Sequence, residues 1–280
     1  MSNKIGIGII TCERPDYLNR LIQSIDITKA GIDQIVVVDD GVKPTARTVY
    51  DGNIITTTGK TGVGKAKNLA LKSLIDNNCD YYFIIEDDML IKDQNVFDYY
   101  IRACKNTGIQ HFNFGPGSPF NRKQKIQGFD LHNRHELNEE SEPNPKLIIE
   151  YTDCKIALYQ HITGMFSFFS KKCLEKVGLI DEDYKNAWEH VDHTNRIIRA
   201  GYHPPFWWFA DIANSTDYID SQKDAIQNST TSKNTTEWLQ NVQTNAELYK
   251  IKNGCYPSNT PNTLQTQVLQ ILKTIKLQNV

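Results

Sequence analysis

Apolar and polar positions alternate along this chain with two different periods. Residues 5–10 form a short apolar run that predicts a strand, and 14–25 carry Leu18, Leu21, Ile22 and Ile25 at helical spacing. The run 35–38 is continuously apolar, which suits a strand covered on both faces. A weaker strand follows at 54–57, a helix at 64–76, a strand at 81–85 and a helix at 95–105. This β-α-β-β-α-β alternation predicts an α/β domain with a largely parallel sheet. From 114 to 150 the pattern breaks into Gly, Pro, Asn and charged residues, which reads as a hairpin or loop insertion. Regularity returns with the apolar segment 162–169, a helix at 171–177, and another at 189–200 stopped by Gly201. After a Ser/Thr-rich stretch at 228–234, a helix is predicted over 237–252. Past Pro257 and Pro261, Leu264, Val268, Ile271, Leu272 and Ile275 share one helical face, suited to docking on the parent domain or to forming an oligomer.

In a parallel α/β sheet, ligands bind outside the carboxyl ends of the strands. Thr11 and Cys12, Asp39 and Asp40, and Glu86, Asp87 and Asp88 all fall there. Three adjacent carboxylates after an apolar strand repel one another, and burying them is costly unless a cation or donors compensate. The cluster is a candidate seat for a hard divalent ion, Mg²⁺ or Mn²⁺; a solvated acidic turn is the plainer alternative. Asp39 and Asp40 before Gly41 also suit an ordinary Asx turn. Lys65 and Lys67 head a helix after Gly62 and Gly64, a placement that favours phosphate, or simply carries solvated charge.

Composition narrows the classes. The chain has 280 residues, 39% hydrophobic and 23% charged, as an ordinary globular protein does. A formal charge of −2 and a pI near 6.4 give no general case for nucleic-acid binding, although the basic stretch 122–134 leaves it open. The N-terminus lacks the apolar region of a signal peptide, and no run of about 18 apolar residues predicts a transmembrane segment. Six cysteines without a C-x-x-C pair fit reduced thiols in a cytoplasmic protein, where the sequons at Asn214, Asn228 and Asn234 carry no meaning.

Taken in order, several segments resemble glycosyltransferases of the GT-A fold, of the broad family 2 and β-1,4-galactosyltransferase types. The opening I-G-I-I-T-C-E-R-P-D-Y-L-N-R-L-I-Q-S-I is similar to that fold's first β-α unit, and I-V-V-V-D-D-G to its second strand with an acidic pair. T-G-V-G-K-A-K-N-L-A-L resembles the family's Gly-rich helix start, and F-I-I-E-D-D stands at its D-x-D metal motif. The segment 162–201, with G-M-F-S-F-F-S, V-G-L-I-D and W-E-H-V-D, resembles the acceptor region. The resemblance covers about residues 4 to 212.

It implies a GT-A fold with a mixed, mainly parallel sheet flanked by helices. Residues 1–220 would form the glycosyltransferase domain, with 1–110 as the nucleotide-sugar half and 111–220 as the acceptor half. Residues 221–280 would form a helical C-terminal extension. The resemblance assigns the donor to Thr11, Asp40, Lys65, Lys67, Glu86 and Asp87, with Asp40 accepting the imide N–H of uracil. It assigns a divalent metal, Mn²⁺ or Mg²⁺, to Asp88 with Glu86, where Glu86 replaces the usual first Asp. The family's third ligand, a His after the final strand, falls on Asn214, with Asp211 or Asp217 as substitutes; His203 reads as structural. Gly164 and Trp188 would meet the acceptor. His190 stands where the family has its catalytic Asp, with Glu189 and Asp192 as rival bases. Acids in a first helical turn also suit the macrodipole, and Asp192 has Arg196 four residues on.

The implied activity is metal-dependent, inverting transfer from a nucleotide-sugar, a UDP-sugar first, to a hydroxyl of a glycan or other acceptor. Modified nucleic-acid bases or a protein are specialised acceptors of the same kind. A nucleotidyltransferase and a non-catalytic nucleotide- or sugar-binding module are the competing readings.

Overall fold

The computed structural model describes residues 3–123, 141–222, 228–229 and 235–280. Its first half follows the predicted alternation closely. Strand β1 (Ile5–Thr11) leads to α1 (Pro15–Ser24), which starts with Pro15 in its first turn and buries Tyr17, Leu18 and Leu21. The short α2 (Ile27–Ala30) is capped by the Asp26 side chain accepting from the Lys29 N–H. Strands β2 (Gln34–Asp39) and β3 (Asn53–Thr56), helix α3 (Val63–Asp76) and strand β4 (Tyr81–Glu86) follow. After β5 (Met89–Ile91), helix α4 (Val96–Thr107) ends at Gly108.

The second half is built from shorter strands. They are β6 (His111–Asn113), β7 (Leu147–Glu150), β8 (Lys155–Tyr159) and β9 (Phe166–Ser170). Helices α5 (Lys171–Val177) and α6 (Glu189–Arg199) precede β10 (Phe209–Ile212) and β11 (Ile219–Ser221). Helices α7 (Thr235–Asn253) and α8 (Gln265–Asn279) close the chain. The 114–150 segment, expected as an insertion, contains β7, which forms a hairpin with β8. Residues 124–140, and with them most of the basic stretch, lie outside the described residues.

The main sheet has the order β3-β2-β1-β4-β9-β6. Its first four strands are parallel, and β9 runs antiparallel to both β4 and β6. This is the mixed, mainly parallel sheet that the resemblance implied. Its period-two alternation feeds two cores: Ile7, Ile9, Phe83 and Ile85 pack towards α1 and α4, while Val36, Val38, Tyr82 and Ile84 pack with α3 and α5. Register sets Thr11 opposite Asp39 and Ile10 opposite Glu86, so the three polar clusters share one sheet edge. A three-stranded sheet (β10-β8-β7) and the ribbon β11-β5 complete the architecture.

Helix α8 docks on the chain itself. Val268, Leu272 and Ile275 are buried in the core shared with α4, whereas Leu264 is exposed. Gly108, at φ 78°, permits this approach: a Cβ there would sit 2.6 Å from the Ile275 carbonyl oxygen. Leu272→Ala should therefore lower stability by about 2–5 kcal/mol through the cavity it leaves. Leu269→Ala, on the half-exposed side of the same helix, should cost under about 1 kcal/mol. Urea unfolding monitored by circular dichroism checks the pair.

Candidate functional site

Beyond the carboxyl ends of β1, β2 and β4 the three adjacent acids meet three different fates. Asp87 is fully buried, accepts a 2.6 Å hydrogen bond from the Thr11 hydroxyl, and is ion-paired with Arg14. Burial pushes its carboxyl upward, opposed by Arg14 and Thr11. Glu86 pairs with the Lys67 ammonium at 2.8 Å. Asp88 keeps a looser contact, 3.5 Å, to the Arg14 guanidinium. Its other oxygen, Oδ1, is buried without a hydrogen-bond partner among the described residues. Burial, then Glu86 and Asp87, raise the Asp88 carboxyl.

Lys67 is the centre of the second half of the site. It is almost fully buried on α3 and donates to the Gly164 carbonyl at 2.9 Å. Besides Glu86 it lies 3.5 Å from Glu189, the first residue of α6. Burial works against its charge, but Glu86 and Glu189 outweigh burial and raise its pKa. Glu189 in turn lies 3.1 Å from the His190 Nδ1. Burial would raise the Glu189 carboxyl, yet His190 and then Lys67 hold it down at about 2. Gly164 is required by this crowding: a Cβ would stand 2.6 Å from the Lys67 Nζ and 3.4 Å from the His190 Nδ1.

These groups open onto a cavity of about 880 Å³ whose wall includes Glu86, Asp88, Gly164, Trp188, Glu189 and His190. Phe206, Trp207 and Phe209 add an aromatic side, and α7 contributes Trp238 and Val242. Trp188 sits at the start of α6 with φ 68°, and its indole N–H donates to the Val242 carbonyl.

Several residues assigned to the site from sequence have other work. Lys67, read as a phosphate ligand, is held between the partly exposed carboxylate of Glu86 and the buried one of Glu189, while Lys65 is exposed on α3. Thr11 supports Asp87. Asp40, read as the uracil contact, already accepts from the Thr57 hydroxyl, the Thr61 hydroxyl and N–H, and the Gly62 N–H, so both of its oxygens hold the 57–62 loop. Asp211, read as a metal ligand, is buried with four donors on its two oxygens: Tyr100, Gly115, Ser215 and Ile212. Burial still pushes it up to about 7. Asp192 is buried and bonded to Arg196, Asn253 and Tyr184, and is absent from the cavity wall. His203 is structural, accepting the Ala210 N–H, as its neighbours suggested.

Sequence reading missed Arg14 and, in the cavity wall, Gln222 and the α7 residues Trp238 and Val242. Arg14 had a signal, a cation directly after the first strand with three acids elsewhere on the same edge; Gln222 had none.

A divalent metal can be tested against this geometry. Among the described residues no three His, Cys, Asp or Glu side chains cluster to hold one. Asp88 nevertheless offers a buried, unpartnered carboxylate oxygen in a cavity wall, and the four carboxylates Glu86, Asp87, Asp88 and Glu189 lie against two permanent cations, Arg14 and Lys67, with His190 beside Glu189. A hard cation whose remaining ligands come from elsewhere fits that surplus of negative charge.

No family model matches the chain. It is 25% identical over 229 residues to the uncharacterized glycosyltransferase R363 of Acanthamoeba polyphaga mimivirus, covering 77% of this chain and 80% of that protein. The S. aureus TarS 1-349 structure in complex with UDP is similar at 14% identity and TM-score 0.49, over 99% of this chain and 81% of that one. The mannosyltransferase PcManGT from Pyrobaculum calidifontis, in complex with GDP-Man and Mn²⁺, is similar at 16% identity and TM-score 0.44, over 72% and 54%. Among the described residues, no helix is long and apolar enough to cross a membrane. All six cysteines are free thiols.

Glu189 yields a pH prediction. Its folded pKa lies near 2, below the ordinary 4.5, so its contribution is present above pH 4.5 and lost as pH falls towards 2. Glu189→Gln should cost on the order of 3 kcal/mol at pH 5, and the gap to wild type should close between pH 4.5 and 2. Denaturant titrations across that range measure it.

Proposed function

We propose that this chain is a glycosyltransferase that moves a sugar from a nucleotide-sugar donor to an acceptor hydroxyl. The observation that carries the reading is one cavity joining two kinds of chemistry. An unpartnered carboxylate oxygen of Asp88 stands in its wall together with an imidazole, His190, that a buried carboxylate holds. The order of motifs and the name of the mimivirus relative support the same reaction class.

Among the three candidate bases the geometry favours His190. Asp192 is committed to Arg196 and Asn253, and Glu189, held near 2, is too weak a base to keep a proton. Glu189 instead accepts from His190 Nδ1–H, which fixes the ring and leaves Nε2 as the basic nitrogen. In the proposed step the acceptor hydroxyl gives its proton to Nε2 as its oxygen bonds to the anomeric carbon. The bond from that carbon to the diphosphate breaks, and its electron pair leaves with the nucleoside diphosphate. A single displacement of this kind inverts the anomeric centre. Asp88 would hold a divalent cation, Mn²⁺ or Mg²⁺, whose chemistry is to offset charge on the departing diphosphate. Trp188, Phe206, Trp207 and Phe209 offer flat apolar faces for a sugar acceptor.

With Asp40 committed to the 57–62 loop, the base preference is open to test, and UDP is the first candidate. Thermal unfolding with UDP, GDP or CDP, each with and without Mn²⁺, should show a rise in Tm for at least one diphosphate only when metal is present. No rise with any of them would overturn the proposal. In a productive donor–acceptor assay, His190→Asn should lower kcat by about 10²- to 10⁴-fold while leaving donor affinity unchanged.

A further inference from the structure

Gln222 follows β11 directly and is buried, with 3% of its surface exposed. Its backbone N–H donates to the Asp88 carbonyl at 2.7 Å. Its side-chain Nε2 donates to the carbonyls of Asp87 (2.8 Å), Tyr17 (3.1 Å) and Met89 (3.3 Å). Three carbonyls around one nitrogen fix which way the amide points, because the reverse orientation would set oxygen against oxygen. Oε1 is thereby turned away from the backbone of the acidic turn. It is buried and has no hydrogen-bond partner among the described residues.

Asp88 Oδ1 is in the same condition, and both residues line the same cavity. Two unpartnered oxygen acceptors, on residues joined by a backbone hydrogen bond, call for a group that supplies positive charge to both. A phosphate would meet repulsion there, since the surrounding carboxylates outnumber the cations. We propose that Gln222, through Oε1, is a second protein ligand of the divalent cation that Asp88 binds. The inference rests on the metal reading given above and extends it to a residue outside the resembling segment. A carboxylate and an amide carbonyl form an all-oxygen pair suited to Mn²⁺ or Mg²⁺. They leave most of the coordination shell to donor phosphate and water.

The test is calorimetric titration of Mn²⁺ into the full chain with UDP present, with free Mn²⁺ followed by electron paramagnetic resonance. Gln222→Met, similar in volume but lacking the carbonyl, should weaken Mn²⁺ binding at least about tenfold. Gln222→Glu keeps a ligand oxygen but sets its second oxygen where Nε2 met three carbonyls, so it should bind Mn²⁺ more tightly than Gln222→Met but need not match wild type. Without Mn²⁺, UDP should raise the Tm of none of the three. Should the Met variant fail to fold, the Glu variant carries the test: with UDP present Mn²⁺ should still raise its Tm, and no rise would overturn the proposal. If Met retains wild-type Mn²⁺ affinity while Asp88→Asn loses it, Gln222 is not a ligand and the Asp88 site stands. Equal weakening in Met and Glu would reduce Gln222 to a brace acting through Nε2, overturning the proposal. A wild-type chain that binds no Mn²⁺ with UDP would overturn the metal reading as well.

Discussion

A single buried ammonium organises this molecule's polar centre. Lys67 reaches from α3 to Glu86 at the end of β4, to the carbonyl of Gly164 before β9, and to Glu189 at the head of α6. Burying a lysine is costly, and the cost is offset by the charges of Glu86 and Glu189 and the carbonyl of Gly164. The same contact explains the glycine at 164, where any side chain would strike the ammonium. It also ties the first, predominantly parallel part of the sheet to α6. The imidazole of His190 is thus held, through Glu189, against the same cation that neutralises Glu86.

That arrangement sorts the three acids by compensation. The repulsion expected of Glu86, Asp87 and Asp88 is real, but the chain answers two-thirds of it internally, with Lys67 on one side and Arg14 on the other. What remains is Asp88, with one loose contact to Arg14 and one oxygen unanswered. A D-x-D reading makes the first and last acids equal partners in a metal site. Here the glutamate at the first position is paired with Lys67, which its longer side chain reaches.

The sheet was legible because its strands announce themselves: β1, β2 and β4 are nearly unbroken apolar runs, and α1 and α3 have clear starts at Pro15 and after Gly62. The later strands β6, β10 and β11, of three or four residues, are too short to display a period. Positions of chemistry were also legible, since strand ends in a parallel sheet converge. Roles were less so. Thr11, Asp40, Lys67, Asp192 and Asp211 are the right residue types for ligands, but each is consumed by a neighbour distant in sequence. Spacing along the chain cannot reveal Tyr100 beneath Asp211 or Asn253 beside Asp192.

The C-terminal segment shows the same limit from the other direction. Read alone, 221–280 is a Ser/Thr-rich stretch and two helices, the second with one apolar face suited to docking on the domain or to forming an oligomer. In the fold it accepts the indole N–H groups of Trp188, Trp207 and Trp208, through the carbonyls of Val242, Thr260 and Thr263. Asn245 donates to the carbonyls of Lys185 and Ala187, just before α6. A tryptophan whose only polar atom is bonded to backbone has its ring plane set by that bond. The segment therefore fixes the aromatic wall of the cavity while Gln222, its second residue, braces the acidic turn. A boundary at residue 220 would cut through the site, separating the carbonyls that set the wall, and the brace, from the tryptophans and acids they hold.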